Sequence, residues 1–266
     1  MALCFIKKIM SKKSLFTVSL LYCMFTSWSA FSKEPEGYYY QIKIYHFKGK
    51  AQEERIDSFL QHAYLPAMRR AGLKELGVFK PISQDINDQL IYVFIPFRKL
   101  QQLESTRKVL ENDKQYQQDG KDYLNALYND PPYSRIESML LKAFSSMPKP
   151  AIPSLNAPKN ERFYELRSYE SATENYALNK IKMFNVAEVS IFQKLNFNAV
   201  FYGQVISGSK MPNLMYMTTF NNKADRDKHW AAFTPEYSKV KSLPEYQNNV
   251  SKNVQVYLYP TDYSDY

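Results

Sequence analysis

Residues 163–170 of this chain read FYELRSYE, and residues 39–46 read YYQIKIYH. Both stretches run aromatic, Tyr, polar, apolar, basic, small or apolar, Tyr and polar. Such alternation predicts a β-strand, because successive side chains of a strand point to opposite faces of its sheet. A repeated strand suggests that a larger unit of the fold is also repeated.

A proline-rich segment separates the two copies of this strand. Residues 147–160, MPKPAIPSLNAPKN, hold four prolines and show no hydrophobic periodicity. This composition is typical of a stiff linker between domains. The prediction is therefore two units, residues 35–146 and 161–266, each of ordinary domain size.

The two units share one predicted order of elements. Alternating or apolar runs predict strands at 38–47, 75–82, 90–97 and 134–144, then at 162–169, 197–206, 214–220 and 253–260. Apolar residues at helical spacing follow the first strand of each unit, and a second helix is expected over about 98–127 and 222–248, broken near Pro235 and Pro244.

Strand-helix-strand-strand-helix-strand is the ferredoxin-like βαββαβ motif, which places both helices on one face of its sheet. The other face must be covered. We therefore expect an α+β protein in which two ferredoxin-like repeats pack sheet to sheet within one chain.

Four segments of the second unit form a recognisable set: YELRSY (164–169), MFNVAEVSIFQKLNFNAVFYGQV (183–205), MPNLMYMTTF (211–220) and RDKHWAAFTPEYSKVK (226–241). Together they resemble the NIPSNAP family of the dimeric α+β barrel superfamily. The first unit fits more loosely and lacks the tryptophan. The resemblance implies an intramolecular barrel like that of bacterial secreted tandem-repeat members. It implies no agreed activity, although the wider superfamily includes cofactor-free monooxygenases, haem-degrading enzymes and muconolactone isomerases.

The first 32 residues are predicted to be a secretory signal peptide. A basic head precedes an uncharged apolar run over 15–30, and Ala30-Phe31-Ser32 suits cleavage before Lys33. The alternative is a retained anchor, but the run is shorter than the roughly 20 residues of a spanning helix. Translation could start at Met1 or Met10. We expect a secreted or periplasmic protein with no membrane span after cleavage.

The composition and the absence of several motifs limit the kinds of function expected of this protein. Cys4 and Cys23, the two cysteines of the chain, leave with the predicted signal, as do four lysines that contribute to its formal net charge of +9. The remaining charge is mild and forms no dense basic run, so nucleic acid is not an expected partner. No metal-ligand pair, nucleophile elbow or phosphate-binding loop occurs in the sequence. We expect no metal and no cofactor, and self-association is left open.

Polar residues of the first strands are the first candidates for a site. Lys43 and Arg167 share the polar faces of their strands, which we expect to point into the barrel. Either cation could bind an anionic ligand among tyrosines. The simpler interpretation is a cross-strand ion pair or solvent exposure at an edge strand.

Glu188 is the sharper anomaly. It falls within the apolar stripe of the second unit's first helix, four residues after Phe184 and three before Ile191. A carboxylate there is costly unless it is paired, and burial raises its pKa. It could be a functional acid, or it could bond to Asn185 or a tyrosine hydroxyl at the edge of the stripe.

The helix segment RDKHWAAF supplies the third candidate, His229, next to the helical face of Arg226, Trp230 and Phe233. As a general base it would suit neutral pH, but an edge-of-core histidine is the simpler interpretation.

These candidates converge on one hypothesis. It is a small-molecule binding pocket between the sheet and helices of the second unit, formed by Arg167, Asn185, Glu188, Tyr202, Tyr216 and His229. The ligand would be hydrophobic or aromatic, with an anionic group an open alternative. One rival is a cofactor-independent isomerase or monooxygenase with Glu188 or His229 as its base. The other is a protein-interaction scaffold, which predicts an exposed apolar patch and no sizeable pocket.

Overall fold

Eight strands close into one barrel in the computed structural model, which describes residues 37–266. The predicted signal peptide and both possible start sites lie outside these residues. The strands are β1 (Tyr39–Phe47), β2 (Gly77–Pro81), β3 (Gln89–Phe97), β4 (Arg135–Ala143), β5 (Phe163–Glu170), β6 (Asn198–Ser207), β7 (Asn213–Phe220) and β8 (Lys252–Pro260).

The order of strands around the barrel keeps each half of the chain together. It runs β1-β3-β2-β8-β5-β7-β6-β4, with antiparallel neighbours throughout. The halves join edge to edge, where Phe79 of β2 faces Pro260 of β8 and Lys142 of β4 faces Gln204 of β6. Closure leaves no free sheet edge. The predicted α+β class and a closed barrel are confirmed.

Helices cover the outside of this barrel. They are α1 (Gly49–Ser58), α2 (Leu65–Arg70), α3 (Gln101–Asn112), α4 (Lys114–Asp119), α5 (Lys121–Leu124), α6 (Glu174–Met183), α7 (Val189–Lys194) and α8 (Lys223–Lys241). Side chains fix where three of them start, since Asp113, Thr173 and Asn222 each accept a hydrogen bond from a backbone N–H of the following turn. Within residues 37–266, no helix combines the length and the apolar character that a membrane crossing requires.

The first helical layer of each half contains a π-helical segment. Phe59–Tyr64 joins α1 to α2, and Phe184–Glu188 joins α6 to α7. A π turn inserts an extra residue, and such segments occur frequently at functional sites. Tyr64 ends the first segment and Glu188 ends the second, so the two halves place different side chains at matching positions.

The second helix of each half departs from its prediction. In the first half it is divided into α3, α4 and α5, with Asp113 capping the second piece. In the second half α8 continues through Pro235, so the break expected there is wrong. Phe233 is buried and stacks on Tyr237 with ring centroids 5.2 Å apart, which holds the helix together on both sides of the proline. The helix ends before the short 3-10 turn Pro244–Tyr246.

The proline-rich segment 147–160 runs from β4 to β5 along the barrel. The Tyr38 N–H donates to the Pro148 carbonyl at 2.8 Å, and the Ala151 N–H donates to the Val200 carbonyl at 2.9 Å. The segment is therefore bonded to both halves, to the residue that precedes β1 and to β6.

The barrel interior is apolar, which reverses one expectation. Tyr40 and Ile42 of β1 meet Tyr164 and Leu166 of β5 in the central core. An eight-stranded barrel is just wide enough for side chains to fill. The polar faces that carry Lys43 and Arg167 therefore point outward, toward the helices. Alternation correctly groups the residues of one face, but both faces of this sheet are covered.

Candidate ligand-binding site

A cavity of about 630 Å³ lies between the barrel and the helices of the second half. Its walls come from β5, β8, the π segment before α7, α8 and the loop that follows α8. The lining residues are Arg167, Tyr169, Glu188, Arg226, Trp230, Phe233, Thr234, Tyr237, Lys241, Tyr246, Gln247, Asn248, Asn249, Val250 and Asn253. The volume is within the range of small-molecule sites.

Glu165 organises one wall of this cavity. Its carboxylate is fully buried and accepts from Arg167 Nε at 2.7 Å and from Arg226 Nε at 2.8 Å. Trp230 Nε1 donates to the same carboxylate at 2.7 Å. Two guanidinium groups and an indole N–H thus neutralise and hold one acid, which offsets much of the cost of burying it.

Arg167 is the cation that this arrangement presents to the cavity. Its guanidinium carbon lies 3.7 Å from the centroid of the Trp230 ring, and Nη1 donates to the Tyr169 hydroxyl at 3.2 Å. Tyr169 and Tyr216 share a hydrogen bond of 2.8 Å. Burial raises the pKa of both tyrosines, so both hydroxyls stay protonated at neutral pH. The arginine is therefore fixed in position by stacking and by a hydrogen-bonded tyrosine pair.

A second buried charge pair lies on the helical side. Glu188 forms an ion pair with Lys180, whose side chain is fully buried. The ammonium also donates to the Tyr237 hydroxyl at 3.1 Å. Burial raises the pKa of Glu188, and the nearby Lys180 and Arg167 charges oppose that shift. The acid faces the cavity from a position that water scarcely reaches.

The predicted site residues divide into three groups. Arg167 and Glu188 line the cavity. Tyr202 and Tyr216 stack in the core behind it, with ring centroids 5.7 Å apart. The remaining two, Asn185 and His229, are not among the lining residues.

Asn185 and His229 have local partners elsewhere. Asn185 Oδ1 accepts from the Ser146 N–H at 2.9 Å, and its Nδ2 donates to the Ile181 carbonyl at 3.1 Å. The alternative in which Glu188 bonds to Asn185 is therefore not observed. His229 Nδ1 donates to the Asp225 carbonyl at 2.8 Å, and its ring packs against Phe197. Both residues stabilise neighbouring backbone or core.

Sequence reasoning missed the partners of the two charges that it identified. Glu165 lies two residues from Arg167 on the same strand face, and this spacing could have indicated the pair. Lys180 lies three residues after Ala177 and four before Phe184, at the edge of the apolar stripe that contains Glu188. Apart from helical spacing, nothing in the sequence indicated that Trp230 and Tyr237 form an aromatic wall of the cavity.

The cavity wall carries more positive than negative charge. Its ionisable cations are Arg167, Arg226 and Lys241, against the single carboxylate Glu188. Aromatic rings of Tyr169, Trp230 and Tyr246 line the same cavity. Such a wall suits an anionic group attached to an aromatic or apolar body. Among the residues that the structure describes, no group of three or more His, Cys, Asp or Glu side chains could hold a metal ion.

The structure is an α+β barrel with a cavity between the sheet and the helices of its second half. Comparison with protein families refines this description, because the NIPSNAP family model matches residues 164–265. The match covers most of the second half of the chain, the part whose sequence resembles this family. No curated protein matches the chain in sequence.

Three solved structures share the barrel over most of the chain. A proposed monooxygenase from Fusobacterium nucleatum subsp. nucleatum has a TM-score of 0.56 at 7% identity, covering 84% of this chain and 92% of that one. A proposed monooxygenase from Lactobacillus acidophilus has 0.52 at 12%, covering 85% and 94%. An anthrone oxidase-like protein has 0.50 at 8%, covering 86% and 92%. At such identities the likeness concerns the fold alone.

Proposed function

We propose that this protein is an exported binding protein for a small anionic molecule with an aromatic or other apolar body. The observation that carries the proposal is Arg167, a guanidinium stacked on Trp230 in the wall of a 630 Å³ cavity. Arginine presents a planar set of donors that matches a carboxylate or a similar oxyanion. The two ferredoxin-like repeats of residues 35–146 and 161–266 would then have diverged, with this site in the second.

Charge and shape together support an anionic ligand. Arg226 pairs with both Glu165 and Asp227, whereas Arg167 has, within residues 37–266, only the carboxylate of Glu165, which it shares. An anionic group in the cavity would give Arg167 a partner of its own. The rings that surround Arg167 exclude water, which strengthens a hydrogen bond to a charged group. The sizeable cavity is not what the scaffold hypothesis predicts.

Trp230 gives this proposal a direct test. Trp28 and Trp230 are the two tryptophans of the sequence, so a chain starting at Lys33 contains Trp230 alone. We expect 2-naphthoate to quench its fluorescence saturably. The variant Arg167→Met removes a charge-assisted hydrogen bond worth about 1.5–3 kcal/mol, so its affinity should fall at least about tenfold.

Two control variants make the test specific. Arg167→Lys keeps the charge without the planar stack and should lose less affinity than Arg167→Met. Lys43→Met changes the matching strand of the first half and should leave the quenching unchanged. Equal affinity of Arg167→Met and the parent chain, or no quenching by naphthoate or naphthalenesulfonate, would overturn the proposal. Native mass spectrometry of the exported fraction tests cleavage before Lys33 and detects any ligand that copurifies.

A second candidate function rests on Glu188. This acid lines the cavity, is 2% exposed and has a pKa raised by burial, as a general base in a cofactor-independent enzyme requires. A base at this position could remove the proton of an acidic C–H bond in an aromatic substrate. Dioxygen would then oxidise the resulting carbanion.

Anthrone is a suitable probe for this activity, because one molecule of anthrone and one of O₂ give one anthraquinone and one water. If Glu188 is the base, Glu188→Gln should reduce oxygen uptake by about 10²-fold or more while naphthoate still quenches Trp230. Anthrone oxidation at the same rate by both proteins would exclude Glu188 as the base. No oxidation above the protein-free rate would leave binding as the function.

A further inference from the structure

A second cavity, of about 440 Å³, lies between barrel and helices in the first half. Lys43 of β1 and Phe97 of β3 form its floor, and Tyr64 and Met68 form one side. Leu103 and Leu110 of α3 line it from the helical side. Its position matches that of the larger cavity in the second half, but its lining is more aliphatic.

Lys43 occupies the strand position that Arg167 occupies in the second half. The repeated stretches align Gln41 with Glu165 and Lys43 with Arg167. Gln41, a neutral amide, therefore occupies the position in the first half where the second half has the Glu165 carboxylate. Gln41 donates to the hydroxyl of Ser138, the residue opposite Lys43 on β4, at 2.8 Å.

The ammonium of Lys43 is held by aromatic rings. It lies 4.9 Å from the Tyr64 ring centroid and 5.3 Å from that of Tyr45. No carboxylate in residues 37–266 forms an ion pair with it, whereas Lys80 and Lys180 each have such a partner. Burial raises the pKa of Tyr64 to about 12, so this neighbour is neutral at physiological pH.

The rim of the cavity supplies no competing anion. Glu104 is close to the opening, but Arg107 donates to both of its carboxylate oxygens, at 2.9 and 3.1 Å. Cation–π contacts compensate an ammonium for lost water only in part. An anion that enters the cavity therefore gains an ion pair with Lys43 that no carboxylate in residues 37–266 supplies.

We propose that the first-half cavity is a separate binding site for small carboxylates with an aliphatic chain. The carboxylate pairs with the Lys43 ammonium, and the chain packs on Met68, Leu103 and Leu110. The volume lies within the range of small-molecule sites. This site is independent of the one at Arg167, so the protein carries two binding sites with different ligand preferences.

Octanoate tests the inference by isothermal titration calorimetry on the chain from Lys33. We expect saturable binding that Lys43→Met weakens about tenfold or more, since a charge-assisted bond is lost. Lys43→Arg keeps the charge and should bind within about threefold of the parent. Arg167→Met should leave octanoate binding unchanged, and octanoate should not alter Trp230 fluorescence.

A second variant separates binding from folding. Leu110→Trp fills the cavity from α3 without changing any charge, and it should also prevent octanoate binding while the thermal unfolding temperature stays near that of the parent. Equal binding by Lys43→Met and the parent chain would overturn the proposal. So would loss of octanoate binding in Arg167→Met alone, or no binding by the parent at about 10 mM octanoate. Failure at this site leaves the naphthoate result at Arg167 unaffected.

Discussion

Replacing Lys180 with methionine is expected to lower the free energy of unfolding by about 3–5 kcal/mol at neutral pH. Lys180 and Glu188 are 0% and 2% exposed in their side chains and form an ion pair with each other. Methionine keeps most of the apolar stem but leaves the carboxylate buried without its cation. Urea unfolding, followed by circular dichroism, measures the loss.

The loss of unfolding free energy in Lys180→Met should increase as the pH rises. Burial already raises the folded-state pKa of Glu188 above its value of 4.5 in the unfolded chain, and the variant removes the lysine that opposes this shift. A group with a raised folded-state pKa favours folding most below its unfolded pKa, and that contribution is lost as pH rises through the folded-state pKa. Stability of Lys180→Met should therefore fall as pH rises above about 4.5, relative to a variant without the acid.

That reference is the double variant Lys180→Met with Glu188→Met, which replaces the pair by apolar side chains. Its stability should return close to that of the parent or exceed it, since apolar replacement of buried pairs is often neutral or stabilising. Lys223→Met is the matched surface control: its partner Asp227 is 46% exposed, and the loss should stay below about 1 kcal/mol. A similarly small, pH-independent loss in Lys180→Met would show that Glu188 reaches water through the cavity.

Replacing Glu165 with glutamine should cost a comparable amount, about 3–5 kcal/mol. Arg167 and Arg226 both depend on this carboxylate, and their side chains are 10% and 17% exposed. A neutral amide leaves the two cations facing each other with one acceptor oxygen between them, and Trp230 loses a charged acceptor. Chemical unfolding at neutral pH, at low and at high salt, measures the change.

Ligand binding should change in the opposite direction. The variant Glu165→Gln adds one unit of positive charge beside the cavity, so 2-naphthoate should bind more tightly while the unliganded protein is less stable. Saturating naphthoate should then recover part of the lost stability, because a ligand that binds only the folded state stabilises it by mass action.

Glu170→Gln is the control on the same strand. Its side chain is 21% exposed and lies 3.8 Å from Lys252, so we expect a loss below about 1 kcal/mol and no change in naphthoate affinity. If Glu165→Gln unfolds no more easily than this control, the two arginines do not depend on the carboxylate. If its naphthoate affinity falls instead of rising, the ligand anion does not bind beside Arg167.

The two charged centres differ in how far sequence could predict them. Residues eight apart in an α-helix lie about 80° apart around the axis, so Lys180 and Glu188 would not face each other in a continuous helix. The π segment Phe184–Glu188 inserts an extra residue per turn and rotates Glu188 back toward the lysine. An apolar stripe can therefore reveal the buried acid but not its partner.

Glu165 illustrates a different difficulty. Two of its donors, Arg226 and Trp230, come from α8, which lies more than fifty residues further along the chain. Local patterns carry no information on such pairings, because they depend on how a helix packs across a sheet. His229, one position before Trp230, was an equally plausible candidate from sequence, yet it faces Phe197 instead of the cavity.

The amino-acid sequence alone determined the repeated strand, the order of elements and the α+β class, since hydrophobic periodicity and turn residues act over short distances. It also identified Arg167 on the polar face of its strand and Glu188 on the apolar stripe of its helix as candidate site residues. Tertiary structure decided which sheet face became the barrel interior, which helix covered Arg167, and that Lys43 kept no carboxylate partner in residues 37–266. Those outcomes depend on barrel closure, which brings distant segments together and buries both faces of the sheet.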